Sequence, residues 1–115
     1  MRPESRLNFF PQYEELLSSK MKSATVRLGD ARLRFHIGQR VLITVGWDQK
    51  NGKIVTYGIL NELFVKRLKD ITDRDLLGES PDCVNRDAVK YVLSSIYRTV
   101  VTDNDYVSVI KWQYE

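Results

Sequence analysis

Cysteine and histidine are almost missing from this chain: its 115 residues hold one of each, Cys83 and His36. A single cysteine closes no intramolecular disulfide, and the two residues together cannot build a cysteine-rich zinc site. No metal and no cofactor is therefore expected. Long apolar runs are missing too; none approaches the roughly 20 residues of a membrane-spanning helix, which excludes the membrane as an expected partner. Residues 1–6 have no apolar segment behind them and do not read as a secretory signal, so the expected location is cytoplasmic. Proline is scarce, with three residues, and glycine numbers six. With no repeats and no low-complexity tract, the chain reads as a tail over residues 1–6 and one domain over residues 7–115.

What is present is charge, unevenly spread. The formal net charge is only +3. Residues 1–69 nevertheless carry 13 Lys/Arg against 6 Asp/Glu, whereas residues 70–115 carry 5 against 9. A fold that keeps these parts on different surfaces has one basic face, which suits an anionic partner such as RNA.

Phe9-Phe10 precede Pro11, a good first helical residue. Tyr13, Leu16 and Leu17 then share one face of a short helix running to Ser19. Residues 23–28 alternate and read as a strand. Arg32-Leu33-Arg34-Phe35 also alternates, as a short strand or an extended loop with both arginines on one side. Arg40 to Trp47 is a strand, and Asn51-Gly52 marks a hairpin. A long strand follows from Lys53 to about Lys69, bent or bulged near Gly58. Thr72 and Asp75 form a helix-start pattern that Gly78 to Asp82 breaks. Asn85 caps a helix from Arg86 to Tyr97, with Val84 and Val89 at staple positions and Val89, Val92, Leu93 and Ile96 as its buried stripe. Val101 begins a further extended segment, and Tyr106 to Trp112 closes the domain. The expected core is Phe9, Leu16, Leu17, Val26, Val41, Ile43, Val45, Ile59, Leu63, Val89, Leu93, Ile96, Val107 and Val109, with Phe35 and Trp112 also favoured inside.

The densest chemistry lies at the first helix-to-strand corner, Lys20-Met21-Lys22-Ser23-Ala24-Thr25-Val26-Arg27. It offers cations, hydroxyls and a guanidinium fork, suited to a phosphate, a carboxylate or a polarised carbonyl. Together with Arg32, Arg34 and Arg40, the residues Lys20, Lys22 and Arg27 can track a phosphate backbone. Trp47, Tyr57 or Tyr97 can stack on unpaired bases. His36 alone, without a second general acid or base, argues weakly for a ribonuclease. No basic cluster adjoins Cys83 in sequence, so it reads as a small semi-buried residue rather than a nucleophile.

The stretch Asn8-Phe9-Phe10, Tyr13, Leu16-Leu17 and Lys22-Ser23-Ala24-Thr25-Val26-Arg27 resembles the opening of the ASCH family (activating signal cointegrator homology domains), relatives of the RNA-binding PUA domains. Lys22, Thr25 and Arg27 match its Gly-x-Lys-x-x-(Thr or Glu)-x-Arg pattern, while the motif glycine is replaced by Lys20. Ile37-Gly38-Gln39-Arg40-Val41, Asp70-Ile71-Thr72 and the closing strand resemble the remainder. The resemblance implies an α+β fold, a small PUA-like mixed β-barrel with flanking helices, and an RNA, nucleoside or nucleotide ligand, or else a protein partner in transcriptional regulation. Some small bacterial members hydrolyse the acetyl-amide of N4-acetylcytidine. By that resemblance Thr25 is the nucleophile, Lys22 its activator, with Lys20 favouring the neutral amine by like-charge repulsion, and Glu79 the carboxylate. Asp75 and Asp82 compete with Glu79 for the last role. The loop from Gly78 to Asp82 is expected to form the wall opposite the corner.

Overall fold

Residues 5–115 are described by a computed structural model. Five strands form one sheet in the order β1-β3-β4-β5-β2. They are β1 (Ser5–Phe9), β2 (Ala24–Leu28), β3 (Arg40–Val45), β4 (Lys53–Arg67) and β5 (Tyr106–Tyr114). Strand β1 runs parallel to β3, with Leu7 opposite Ile43 and Phe9 opposite Val45. The remaining pairs are antiparallel. Two helices flank the sheet, α1 (Glu14–Ser18) and α2 (Arg86–Tyr97). The curled mixed sheet with flanking helices is the expected PUA-like α+β architecture.

Alternation along the strands gives the sheet two apolar faces. On β5, Ile110 and Trp112 face a cluster with Leu7, Phe9, Leu17, Val41, Ile43 and Leu60. Val107 and Val109 point the other way, into a cluster with Val26, Leu68, Val89 and Leu93 beneath α2. Burying Val89 and Leu93 contributes about 1.5–3 kcal/mol for each side chain. This is more than a 12-residue helix gains from intrinsic propensity alone. Asn85 caps α2 through its side chain and the Ala88 amide, and Arg98 ends it in the left-handed conformation.

Most of the expected core is buried; Leu16, Ile59, Leu63 and Ile96 are only partly so. Other expectations need correction. Residues 1–4 of the expected tail lie outside the described residues, while Ser5 and Arg6 already pair with Val41 and Leu42 in β1. Residues 31–33 form a 3-10 turn rather than a strand, because the Asp30 side chain caps it by accepting from the Arg32 amide. Thr72 and Asp75 bond reciprocally as in a capping box, yet only turns follow, and a 3-10 turn begins at Pro81. Val84 is exposed and makes no staple. Val101 is buried outside any strand. As expected, β4 is irregular near Gly58: its register shifts fall on either side, between Leu60 and Glu62 and opposite Ile43/Thr44, with Gly58 itself in register.

Gly58 instead makes room for a ring: a Cβ there would meet the Trp112 side chain at 2.9 Å. Gly52 is confined in the same way by the Asn8 and Thr44 side chains. Asn8 donates to the Gly46 carbonyl at 3.0 Å and accepts from Thr44 at 2.7 Å, pinning the β3–β4 hairpin to β1. Gly52→Ala is expected to cost about 1–3 kcal/mol by overpacking, read as a lower urea midpoint with an unchanged m-value.

Candidate nucleoside-sized pocket at the open seam of the sheet

The sheet does not close on itself. β1 and β2 are its two edges, and Arg27 bridges the gap between them. The Arg27 guanidinium donates to the Asn8 carbonyl at 2.7 Å and lies over the Phe9 ring, 4.8 Å from its centroid. A pocket of about 270 Å³ opens at this seam.

The corner that leads into β2 is set by a Schellman ending of α1. The Lys20 amide donates to the Leu17 carbonyl and the Met21 amide to the Leu16 carbonyl, with Lys20 at φ 63°. Lysine therefore holds the left-handed conformation that the motif pattern gives to glycine. A non-glycine residue there costs about 1–2 kcal/mol. Lys20→Gly is expected to return up to about 1 kcal/mol after glycine's own entropy cost, seen as a higher denaturation midpoint.

Beyond the turn Lys20 is exposed, whereas Lys22 is 3 % exposed. The charge that meets Lys22 is the Glu79 carboxylate, in a buried ion pair. Lys22 Nζ also lies 3.2 Å from Ser80 Oγ and sits over the Tyr13 ring, 5.3 Å from its centroid. Glu79 is held from the backbone: its Oε2 accepts from the Val26 amide at 3.0 Å and its Oε1 from the Ser80 amide at 2.8 Å. The Ser23 and Ala24 amides both donate to the Gly78 carbonyl. Residues 78–79 thus cover the free edge of β2 and satisfy its outward amides, as an exposed strand edge requires.

A second carboxylate stands behind the first. Ser80 Oγ is 2.7 Å from Asp82 Oδ1, and Asp82 Oδ2 accepts from the Tyr13 hydroxyl at 2.6 Å. Burial, reinforced by the Asp82 bond and charge, pushes the Tyr13 hydroxyl well above its ordinary pKa, so it remains a donor. Partial burial alone would raise the Asp82 pKa, but the bonds from Tyr13 and Ser80 hold it below its usual value. A depressed folded pKa gives stability that is full above the unfolded value near 3.9 and is lost as pH falls through the folded value. Asp82→Asn is therefore expected to flatten the acid limb of stability below about pH 4, measured by urea unfolding at a series of pH values.

Of the candidate site residues, Lys22, Thr25, Arg27, Trp47 and Glu79 line the pocket. Thr25 is 5 % exposed and pairs with Ile110 on β5, on the face of the sheet that Ile110 shares. Its described hydrogen bond is a long one from Arg27 Nε at 3.5 Å. Trp47 is 75 % exposed and packs against Phe10, ring centroids 5.1 Å apart. The Gly78–Asp82 loop forms the opposite wall through Glu79 and Ser80, as expected. Asp75 stands apart, paired with Lys66 at 2.7 Å. Lys20, Arg32 and Arg40 line neither the pocket nor the basin beside it. Arg32 is bound to Asp30, and Arg40 to Glu115 while lying over the Tyr57 ring. His36 is exposed and outside both cavities. Cys83 lies in the pocket wall, where burial and the nearby Glu79 and Asp82 charges push its thiol pKa up and keep it a poor nucleophile.

Sequence reasoning missed Asn8, Phe10, Tyr13 and Gln49 as pocket residues. The alternation in Arg6-Leu7-Asn8-Phe9 was the available signal for an edge strand.

No protein-family model matches the chain, and no curated protein matches it in sequence. Solved structures do match its architecture. An ASCH domain from Lactobacillus crispatus JV V101 superposes with a TM-score of 0.67 at 10% identity, over 96% of this chain and 79% of that one. Protein EF3133 from Enterococcus faecalis V583 gives 0.64 at 10% identity, over 99% and 81%. A mutant of the Zymomonas mobilis ASCH protein gives 0.59 at 12% identity, over 97% and 68%. The fold is that of ASCH domains. Within an ASCH fold the corner from Lys20 to Arg27 occupies the open seam, and the loop bearing Glu79 faces it.

Proposed function

We propose that the seam pocket binds a nucleoside, free or within RNA. The observation that carries this reading is the convergence of Lys22, Thr25 and Glu79 with the Phe10–Trp47 pair in one cavity of about 270 Å³. Ligand pockets run from roughly 300 to 1,000 Å³, so this one suits a single nucleoside rather than a stack. Trp47 offers an exposed π-face to a base, and the polar floor offers donors and acceptors to its edge.

Titration calorimetry with cytidine and N4-acetylcytidine tests the reading. Trp47→Ala is expected to weaken binding by about 1–3 kcal/mol, the usual worth of one stacked base. Absence of heat with either nucleoside, or full affinity in Trp47→Ala, would count against it.

The Lys22–Thr25–Glu79 arrangement also favours a second reading, hydrolysis of an acylated exocyclic amine. Thr25 Oγ1 attacks the acyl carbon, and the C–N bond breaks as the amine leaves with a proton. Water then releases the acid and restores the hydroxyl. The Thr25 proton passes to the Lys22–Glu79 pair and from it to the departing amine. Turnover of N4-acetylcytidine is expected to vanish in Thr25→Ala and to survive in part in Thr25→Ser, with an acyl adduct on Thr25 detectable by mass spectrometry. An intact protein without turnover would remove hydrolysis of this substrate and leave binding.

A further inference from the structure

A second cavity adjoins the first across Arg27. It has a volume of about 460 Å³, and its walls include Arg6, Arg27, Arg34 and Lys50. The other lining residues are Asn8, Phe35 and Gln49. Four cations thus share one basin, and among the described residues no carboxylate lines it. Several cations elsewhere on the surface are neutralised by a neighbouring carboxylate: Arg32 by Asp30, Lys53 by Glu14, Lys66 by Asp75 and Lys90 by Asp103. Among the described residues, none of the four basin cations forms an ion pair with a carboxylate. Arg6 donates to the Gly52 carbonyl, Arg27 to the Asn8 carbonyl and the Thr25 hydroxyl, and Arg34 lies over the Phe35 ring.

Arg27 carries the argument furthest. Its guanidinium has five N–H donors, and its described acceptors are two neutral oxygens. Burial lowers its pKa, although Tyr97 and Glu79 act the other way, so the charge is desolvated without a contacting anion. The same residue, with Asn8 and Gln49, lines both cavities. A ligand seated in the first pocket therefore shares Arg27 with the second cavity.

We propose that the basin formed by Arg6, Arg27, Arg34 and Lys50 is a phosphate site for a ligand whose base occupies the seam pocket. The ligand class is then a nucleotide or an RNA strand rather than a bare nucleoside. The coupling to a base rests on the nucleoside reading above, whereas the phosphate site rests on the basin alone. Bidentate guanidinium–phosphate geometry supplies the recognition, and the unpaired charges steer the anion inward.

The test uses two probes. The first is inorganic phosphate, followed through the Nε–H resonances of Arg27 and Arg34 in the full chain. Saturable shifts that weaken with added salt are expected at both, and the Arg27 shift is expected to disappear in Arg34→Ala/Lys50→Ala; resonances that do not respond in the intact protein overturn the proposal, whatever nucleosides do. The second is the affinity of cytidine against its 5′- and 3′-monophosphates and a short oligoribonucleotide. A phosphate is expected to tighten binding about tenfold or more, and the ratio is expected to fall towards one in the double variant, with thermal melting confirming its fold. An oligonucleotide that exceeds both monophosphates with a steeper salt slope identifies a strand; monophosphates equal to it identify a nucleotide. A ratio near one in the intact protein, or one unchanged in the double variant, overturns the proposal. Phosphate shifts without any nucleoside binding would retain the basin and refute the nucleoside reading.

Discussion

Glu79→Ala is expected to lose about 3–5 kcal/mol of folding stability, the cost of leaving a buried charge without its partner. Lys22 and Glu79 have side chains 3 % and 4 % exposed, so water cannot replace the missing carboxylate without the wall opening. The loss includes the acceptor of the Val26 and Ser80 amides, each of which becomes a buried orphan. Set against a total stability of roughly 5–15 kcal/mol, this is between about a fifth and all of it. A double replacement separates charge from shape. Lys22→Met with Glu79→Leu removes both ions, and such apolar substitutions of buried pairs are commonly neutral or stabilising by about 1–4 kcal/mol. Urea unfolding is therefore expected to show the double variant well above Glu79→Ala, yet with ligand binding lost. A double variant as unstable as the single one would mean that the amide acceptors, not the ion pair, hold this wall together. Retained binding in the stable double variant would show that the pair serves the fold and not the ligand.

That pair was legible from sequence in unequal parts. Lys22, Thr25 and Arg27 lie close together at one strand entry; alternation puts Thr25 and Arg27 on one face, whereas Lys22 joins them through the family resemblance and not through spacing. Glu79 sits 57 positions after Lys22, in a loop also holding Asp75 and Asp82, and nothing local ranks three carboxylates. Packing does so: Asp75 goes to Lys66 and the backbone of Thr72, Asp82 to Tyr13 and Ser80, and Glu79 to Lys22. The strands of the sheet centre were readable because their alternation is long. β1 was not, because five residues beside a Phe-Phe-Pro sequence carry too short a period to separate an edge strand from the approach to a helix. Since β1 forms one lip of the seam, missing it hid half of the pocket. The two arginines of Arg32-Leu33-Arg34 part company for a related reason. The Asp30 cap turns the chain after Gly29, so Arg32 folds back on the cap while Arg34 reaches the basin.

Gly78→Ala is expected to damage the pocket wall more than the same change at Gly29. Gly78 has φ +91°, where any side chain is strained, and a Cβ there would lie 2.5 Å from Ser23 Oγ. Both of its neighbours across the gap, Ser23 and Ala24, donate their amides to the Gly78 carbonyl, so the peptide cannot retreat without losing two hydrogen bonds. Retreat also carries Glu79 away from Lys22 and from the edge of β2. Gly29→Ala supplies the control, because Gly29 has nearly the same angle, φ +90°, with nothing within 4 Å of an added Cβ. Backbone strain of about 1–2 kcal/mol is common to both variants, and the difference between them isolates the contact that clamps the loop. Urea midpoints are expected to fall in both and further in Gly78→Ala, while ligand binding is expected to survive only in Gly29→Ala. Equal losses of stability with binding intact in both would show that the loop tolerates displacement, and that Glu79 reaches Lys22 without help from the Gly78 clamp.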